Sequence, residues 1–257
     1  MGTYLITGAS SGIGKACAIK LTKGGHNVIL VARNVKKMQT LVQEMPGENY
    51  CFDYDLNDME HIKDIFNFCK EVSGKLDGMI YAAGINADIP FKGMSPEKFT
   101  EIMNINCGSF AIMGKFFSNR KYSKDNARIV AISSSASISC DKGMGLYSAS
   151  KAAMNSLVKT MSKELIPRGI LVNAVLPAGV LTPMAIEKIK IMTGDELCLD
   201  EITNRLSSQK YFIDISSEQP FGMILPQNLA DIICYLISPS NRYITGGLIP
   251  VSAGRYF

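Results

Sequence analysis

A tyrosine and a lysine stand at positions i and i+4 in the stretch Tyr147-Ser148-Ala149-Ser150-Lys151, so both side chains lie on one face of a helix. A free phenol has a pKa of about 10, and it must titrate closer to neutrality to act as an acid or base there. Lowering that pKa by about three units takes about 4 kcal/mol of phenolate stabilisation. A neighbouring ammonium in a partly desolvated site can supply it. The pair therefore predicts proton transfer by Tyr147, assisted by Lys151.

Ser134 stands shortly before this pair and directly follows a predicted strand, Arg128–Ser133. In open α/β sheets ligands bind at the carboxyl ends of strands, and a hydroxyl there can donate to a substrate carbonyl. Ser133 and Ser135 are competing candidates, although strand alternation turns them to the opposite side. We therefore expect Ser134 and Tyr147 to face one substrate oxygen.

A glycine-rich turn lies between the first predicted strand and the first predicted helix, and it reads Thr7-Gly8-Ala9-Ser10-Ser11-Gly12-Ile13-Gly14. Glycines permit a tight turn and let a phosphate approach the backbone, while the helix N-terminus adds free N–H groups and a favourable dipole. The turn predicts a dinucleotide-binding site; a glycine turn without a ligand is the alternative. The predicted cofactor contacts here are Gly8, Ser10, Ser11, Gly12, Ile13 and Gly14.

The end of the second predicted strand indicates which dinucleotide binds. An acid about 20 residues beyond the glycines takes the ribose hydroxyl of NAD, whereas an arginine accommodates the extra phosphate of NADP. Here the strand ends Val31-Ala32-Arg33-Asn34, and the first acidic residue of the chain is Glu44. Arg33 offers planar, bidentate donors suited to a phosphate. We expect NADP(H) rather than NAD(H); a solvated surface arginine is the alternative interpretation of Arg33.

Charge and composition exclude several classes of protein. The net charge of +4 combines +6 before Glu44 with −2 in the remainder, and the excess is too small to predict nucleic-acid binding. No apolar run is long enough for a membrane helix, and the residues after Met1 lack the pattern of a signal peptide. Seven scattered cysteines and two histidines predict neither a disulfide framework nor a metal site, so we expect a reducing, cytoplasmic location.

Short runs rich in Ile and Val alternate with longer segments of helical spacing. Strands are predicted at Tyr4–Thr7, Asn27–Val31, Tyr50–Phe52, Met79–Ala82, Arg128–Ser133 and Ile170–Val175. Helices are predicted at Ile13–Lys23, Asp58–Val72, Pro96–Phe117, Leu146–Ile166 and Pro226–Ile237. The alternation predicts one α/β domain over residues 1–257, a Rossmann-like, doubly wound parallel sheet of about seven strands with helices on both faces.

The segment from Pro183 to Gln219 breaks this alternation, with a short predicted helix at Ala185–Met192 and a stretch rich in Ser and Gln. Structureless insertions of this length are often lids or binding loops. We therefore expect a substrate lid over about residues 183–220. A helical excursion packed on the surface is the alternative.

The order of these motifs resembles the short-chain dehydrogenase/reductase family. The resemblance rests on the threonine before Gly8-x-x-x-Gly12-x-Gly14 and on Tyr147-x-x-x-Lys151 behind Ser134. It implies that the serine polarises a carbonyl, the tyrosine gives the proton and the lysine binds the nicotinamide ribose. It further implies an asparagine whose backbone holds a water of the proton relay. The pattern around Gly108 favours Asn104 for that role, and Asn106 is the competing candidate.

The same resemblance implies further cofactor contacts along the chain. They are Asp55 and Leu56 near the adenine, Ala83 and Gly84 at the fourth strand, and Pro177, Gly179, Val180 and Thr182 beside the nicotinamide. Three positions depart from the family pattern: Tyr81 replaces an asparagine that braces the sheet, Ala178 replaces a glycine, and Ser252 begins a changed final motif.

The resemblance implies an NADPH-dependent carbonyl reductase or alcohol dehydrogenase acting on a small molecule, with 3-oxoacyl-carrier-protein reductases as the default comparison. A sugar, polyol, steroid-like or secondary-metabolite carbonyl stays open, and a non-catalytic NADP-binding regulator is the rival class. In the family, helices matching Pro96–Phe117 and Leu146–Ile166 pair between subunits. A homo-oligomer is therefore expected, a tetramer before a dimer.

Overall fold

The computed structural model describes residues 1–86, 88–187 and 219–255. Its centre is a seven-stranded sheet in the order β3-β2-β1-β4-β5-β6-β7, parallel throughout. The strands are β1 Thr3–Thr7, β2 Asn27–Ala32, β3 Tyr50–Asp53, β4 Leu76–Tyr81, β5 Ser123–Ile132, β6 Leu171–Pro177 and β7 Leu248–Val251. The strand order reverses between β1 and β4, which opens a crevice at their carboxyl ends. The predicted fold class is confirmed.

Helices cover both faces of the sheet. They are α1 Gly12–Lys23, α2 Val35–Glu44, α3 Ile62–Ser73, α4 Pro96–Met103, α5 Ser109–Phe117, α6 Ala136–Ser139, α7 Gly145–Glu164 and α8 Pro226–Ile237. Within the described residues, no helix is long and apolar enough to cross a membrane.

Two apolar layers hold the helices on the sheet. Phe66, Phe110 and Val158, from α3, α5 and α7, pack on one face, and the helices α1, α2 and α8 bury their apolar side chains on the other. Successive residues of β1 alternate between these layers, Leu5 facing one and Ile6 the other. Because both faces are covered, the central strands are mostly apolar, and their side chains are largely buried.

Two helix predictions need correction, and one helix is missed. Helix α2 was not predicted, because its only buried residues are Met38 and Leu41 and the rest of the segment is polar. The predicted helix Asp58–Val72 begins later, at Ile62. Residues 58–61 form a turn instead, because the Asp58 carboxylate accepts hydrogen bonds from the backbone N–H groups of Glu60 and His61.

The predicted helix Pro96–Phe117 is interrupted. A π-helical turn, Asn104–Gly108, separates α4 from α5 and inserts one extra residue into the helical repeat. Every side chain after the turn is therefore rotated relative to a continuous α-helix. This rotation decides which asparagine reaches the site.

Most of the predicted lid, residues 188–218, lies outside the described residues, as does the second half of the predicted helix Ala185–Met192. At its far border, the side-chain amide of Gln219 donates to the carbonyl of Gly179 and accepts from the backbone N–H of the same glycine. Val180 also pairs with Ile224 in an isolated parallel bridge. The borders of the segment are thus joined beside β6.

Candidate active site

A cavity of about 1180 Å³ opens at the carboxyl end of the sheet, where the strand order reverses. Small-molecule pockets usually measure about 300–1,000 Å³, so this cavity has room for a large ligand together with a second, smaller one. All residues that the sequence predicts for the site line it, with the exception of Asn104. Among the described residues, no cluster of potential metal ligands occurs.

The glycine turn forms the floor of the cavity and leaves no space for side chains. Gly8 has a φ of 63°, and a Cβ there would lie 2.7 Å from the carbonyl oxygen of Ala82. A Cβ on Gly14 would lie 2.6 Å from the carbonyl oxygen of Gly8. Only glycine fits such contacts, and the second glycine also allows β1 and α1 to approach closely.

Helix α1 begins in this turn with its positive end toward the cavity. Ser11, at the N-cap, makes no capping side-chain hydrogen bond, and the first turn holds no acidic residue. The free N–H groups and the helix dipole therefore favour an anion. Together with the turn, this end of α1 fits the pyrophosphate of a dinucleotide.

The far end of the cavity is lined by the residues that follow β2 and β3. Arg33 is exposed there at its rim, and Asp55 and Leu56 lie across from it on the segment after β3. The side chain of Asn34 caps α2 by accepting from the backbone N–H of Lys37. Of the described residues lining this end, Asp55 is the sole carboxylate. The Arg33 guanidinium can therefore bind an anionic group of a ligand in addition to the pyrophosphate at the glycine turn.

Helix α7 carries Tyr147 and Lys151 one turn apart, as the spacing predicts. The ammonium of Lys151 lies 5.8 Å from the centre of the Tyr147 ring and donates to the carbonyl of Ile132 at 2.8 Å. Only 3% of Lys151 is exposed, and this burial lowers its pKa to about 8. The lysine is therefore still largely protonated near pH 7.

Burial changes the electrostatics that the sequence predicts for the phenol. Desolvation raises the pKa of Tyr147, and a hydrogen bond with the side chain of Ser134 acts in the opposite direction. Because Lys151 titrates at about 8, it loses its proton before the phenol does and cannot stabilise the phenolate by charge at that point. Without a ligand, Tyr147 is thus a protonated donor rather than an activated base.

The three serines after β5 have different partners. Ser134 is buried against the cavity and accepts from the backbone N–H of Ala136 at 3.1 Å. The Ser133 hydroxyl donates to the carbonyl of Lys151, and the Ser135 backbone N–H donates to the carbonyl of Pro177. Of the three serines, only Ser134 affects the pKa of Tyr147.

The structure favours the second of the two candidate asparagines. The Asn104 side chain donates to Asn57, and neither Asn104 nor Asn106 lines the cavity itself. Asn106 is fully buried, and its amide accepts from the N–H of Ile85 at 2.8 Å and donates to the carbonyl of the same residue at 2.9 Å. A Cβ on Gly84 would lie 3.2 Å from both Asn106 Oδ1 and Lys151 Nζ. The π-turn thus places Asn106, the competing candidate, directly behind the cavity residues Gly84, Ile85 and Lys151.

The opposite end of the cavity holds residues that the sequence did not point to. Arg255 pairs with Asp141 at 2.8 Å, and Asp141 also accepts from the hydroxyl of Ser139. Both charged residues line the cavity, together with Met144 and Met223. The pair joins positions 114 residues apart, so no local pattern signals it.

Comparison with known proteins agrees with this geometry. A family model described as short chain dehydrogenase matches residues 3–191. The chain is 30% identical over 253 residues to a 3-oxoacyl-(acyl-carrier-protein) reductase of Thermotoga maritima, covering 97% of this chain and 96% of that protein. It is 32% identical over 254 residues to the Rickettsia conorii protein of the same name, covering 98% and 95%.

Solved structures share the fold over its whole length. A crystal structure of actinorhodin polyketide ketoreductase with NADPH matches with a TM-score of 0.84 and 26% identity, covering 98% of this chain and 96% of that chain.

Proposed function

Because the chain belongs to the short-chain dehydrogenase/reductase family, we propose that it is an NADP(H)-dependent enzyme that interconverts a ketone and a secondary alcohol. One observation carries the proposal: Ser134, Tyr147 and Lys151 line the same cavity as the glycine turn. A bound nicotinamide cofactor supplies or accepts the hydride. The protein supplies position, charge and the proton.

Tyr147 is the proton donor of the reduction. Its raised pKa keeps the phenol protonated near neutral pH, as a donor requires. Ser134 lines the cavity with Tyr147 and lies close enough to affect the pKa of the phenol, so one carbonyl oxygen can accept from both hydroxyls. This pair fixes the oxygen while the proton moves to it from Tyr147.

Lys151 holds the ribose of the cofactor, and its ammonium lies beside the ring of Tyr147. Its ammonium is anchored by a single described hydrogen bond, to the carbonyl of Ile132, which leaves donors for a ligand hydroxyl. Asn106 lies beside it and ties the helical turn to Ile85 at the cavity wall. These contacts support a proton path that ends at Tyr147.

Arg33 is the basis for proposing NADP(H) before NAD(H). The guanidinium stands at the rim of the cavity where the ribose of a bound adenosine would end, and α1 and α2 bring no acidic residue into their first turns. A phosphate on that ribose would gain charge-assisted hydrogen bonds.

The substrate class we propose is a 3-oxoacyl thioester or a similar ketone with an apolar chain. Two relatives named 3-oxoacyl-(acyl-carrier-protein) reductases support this class. The cavity end that holds the Asp141–Arg255 pair also carries apolar side chains, including Met144, Met184 and Met223. These methionines can pack against an acyl chain.

NADPH oxidation measured with a panel of carbonyl compounds tests the function. The panel contains an acetoacetyl thioester, a cyclic ketone and an aldose. We expect turnover with the thioester, and a fall of about 10²- to 10⁴-fold in Tyr147→Phe with NADPH binding retained. Tyr243→Phe, at a position 91% exposed, is the matched control. NADPH binding without turnover on any carbonyl would favour the regulator class instead.

The cofactor preference is tested by Arg33→Asp. Charged hydrogen bonds contribute about 1.5–3 kcal/mol, so the ratio of kcat/KM for NADPH over NADH should fall at least about tenfold. Arg242→Asp makes the same charge change at an exposed position away from the cavity and should leave the ratio unchanged. An unchanged ratio in Arg33→Asp would contradict the assignment.

A further inference from the structure

We propose that the buried phenol of Tyr81 is a positioning residue for this reaction, because it holds the π-turn that presents Asn106 to the site. The inference rests on the proposed function and adds a residue that the steps above do not use. Tyr81 ends β4, and its side chain is fully buried beneath the turn.

The hydrogen bonds of the π-turn show what Tyr81 does. In an α-helix the N–H of Ser109 would donate to the carbonyl of Ile105, four residues before it. Here it donates to the carbonyl of Asn104, one residue further back. The carbonyl of Ile105 therefore loses the partner that a continuous helix would give it, and a buried carbonyl without a partner is costly.

The Tyr81 hydroxyl replaces that partner, with the Ser109 hydroxyl close by. The Tyr81 hydroxyl donates to the Ile105 carbonyl at 2.5 Å, and the Ser109 hydroxyl lies 3.1 Å from the same oxygen. The two hydroxyls are 2.6 Å apart, so each orients the other. Burial raises the pKa of Tyr81, so the phenol stays a donor. The π-turn is thus held from the end of a strand, outside its own helix.

The residue after Ile105 is buried behind the cavity wall, in contact with residues of the site. Asn106 bonds both backbone groups of Ile85 and donates to the hydroxyl of Ser150 at 3.0 Å. Ser150 in turn donates to the backbone carbonyl of Tyr147. Holding Ile105 therefore fixes Asn106, and through Ser150 the first turn of α7.

The test uses Tyr81→Phe, which keeps the ring packed on Phe110 at 5.2 Å and removes only the hydroxyl. Tyr122→Phe is the matched control, because Tyr122 is also buried on this face and its hydroxyl donates to Asn67, away from the cavity. Both variants should show a lowered Tm. Only Tyr81→Phe should lower kcat, by about tenfold to a hundredfold, with KM for NADPH nearly unchanged.

A double-mutant cycle separates positioning from simple stability. If Tyr81 acts through Asn106, Tyr81→Phe should lower kcat no further in a background that carries Asn106→Ala. An equal additional loss in that background would overturn the proposal. Ser109→Ala, which removes the second hydroxyl, should lower kcat in the same direction by a smaller factor.

A readout without turnover keeps the inference testable if the proposed function fails. Hydrogen exchange at the Ile85 amide reports its bond to Asn106. We expect exchange at least about tenfold faster in Tyr81→Phe and unchanged in Tyr122→Phe. Equal protection of this amide in Tyr81→Phe and wild type would overturn the positioning role. An inactive wild type with the expected exchange pattern would overturn the proposed function alone.

Discussion

The buried charge of Lys151 should destabilise the folded protein. Its pKa falls from an ordinary 10.5 to about 8 because the ammonium is buried, and at about 1.4 kcal/mol per pKa unit this corresponds to about 3 kcal/mol. The folded-state pKa lies below the unfolded one, so the folded protein binds fewer protons between these values. The penalty is therefore complete below about pH 8 and is relieved as the pH rises toward about 10.5.

Lys151→Met removes the charge and keeps an unbranched apolar side chain. The change abolishes the penalty of about 3 kcal/mol but leaves the Ile132 carbonyl without its partner, at a cost of about 1–3 kcal/mol. Near pH 7 the variant should thus unfold with a free energy equal to that of wild type or up to about 2 kcal/mol higher. Near pH 9.5 wild type has regained about 2 kcal/mol. The unfolding free energy of the variant minus that of wild type should therefore be about 2 kcal/mol lower than near pH 7.

Urea unfolding at one protein concentration, at both pH values, measures this difference. Lys159→Met is the control, because Lys159 lies on the same helix and is exposed. It should unfold with the pH dependence of wild type. A difference between Lys151→Met and wild type that is the same at both pH values would refute the burial argument. The variant should also lose carbonyl turnover.

Two further substitutions, each with a control, test the glycine turn and the choice of Asn106 over Asn104. Gly8→Ala should abolish NADPH binding and lower the Tm, because residue 8 has a left-handed backbone and its new Cβ would collide with Ala82. Gly25→Ala is the control: Gly25 has a similar φ, but no atom lies within 4 Å of the new Cβ, so this variant should still bind NADPH. Asn106→Ala should lower kcat by about tenfold or more, whereas Asn104→Ala should stay near wild type. Binding titrations check the glycine variants, and steady-state kinetics check the asparagine variants. A larger loss of kcat in Asn104→Ala than in Asn106→Ala would contradict the choice of Asn106.

Much of the scaffold could be predicted from the sequence, because its signals are local. Strands such as Asn27–Ala32 are apolar at nearly every position since both faces are covered. Proline and glycine mark element borders, so α8 has the predicted bounds Pro226–Ile237. The glycine turn and the Tyr147–Lys151 spacing are equally local, and the structure brings them into one cavity.

The remaining features depend on tertiary context. The π-turn, which determines whether Asn104 or Asn106 lies beside the site, is hydrogen-bonded to Tyr81 at the end of β4. The sequence of the helix alone therefore does not predict this turn. The raised pKa of Tyr147 comes from burial, which a motif does not reveal. The pairing of Asp141 with Arg255 depends on how distant segments meet.

Deuteride transfer tests the central claim most directly. NADPH carrying deuterium on its hydride-donating carbon is incubated with the protein and an acetoacetyl thioester, and the product is examined by mass spectrometry and NMR. We expect deuterium on the new carbinol carbon with wild type, and a rate lower by about 10²-fold or more with Tyr147→Phe. NADPH consumption without deuterium in the alcohol, or an undiminished rate in Tyr147→Phe, would contradict that claim.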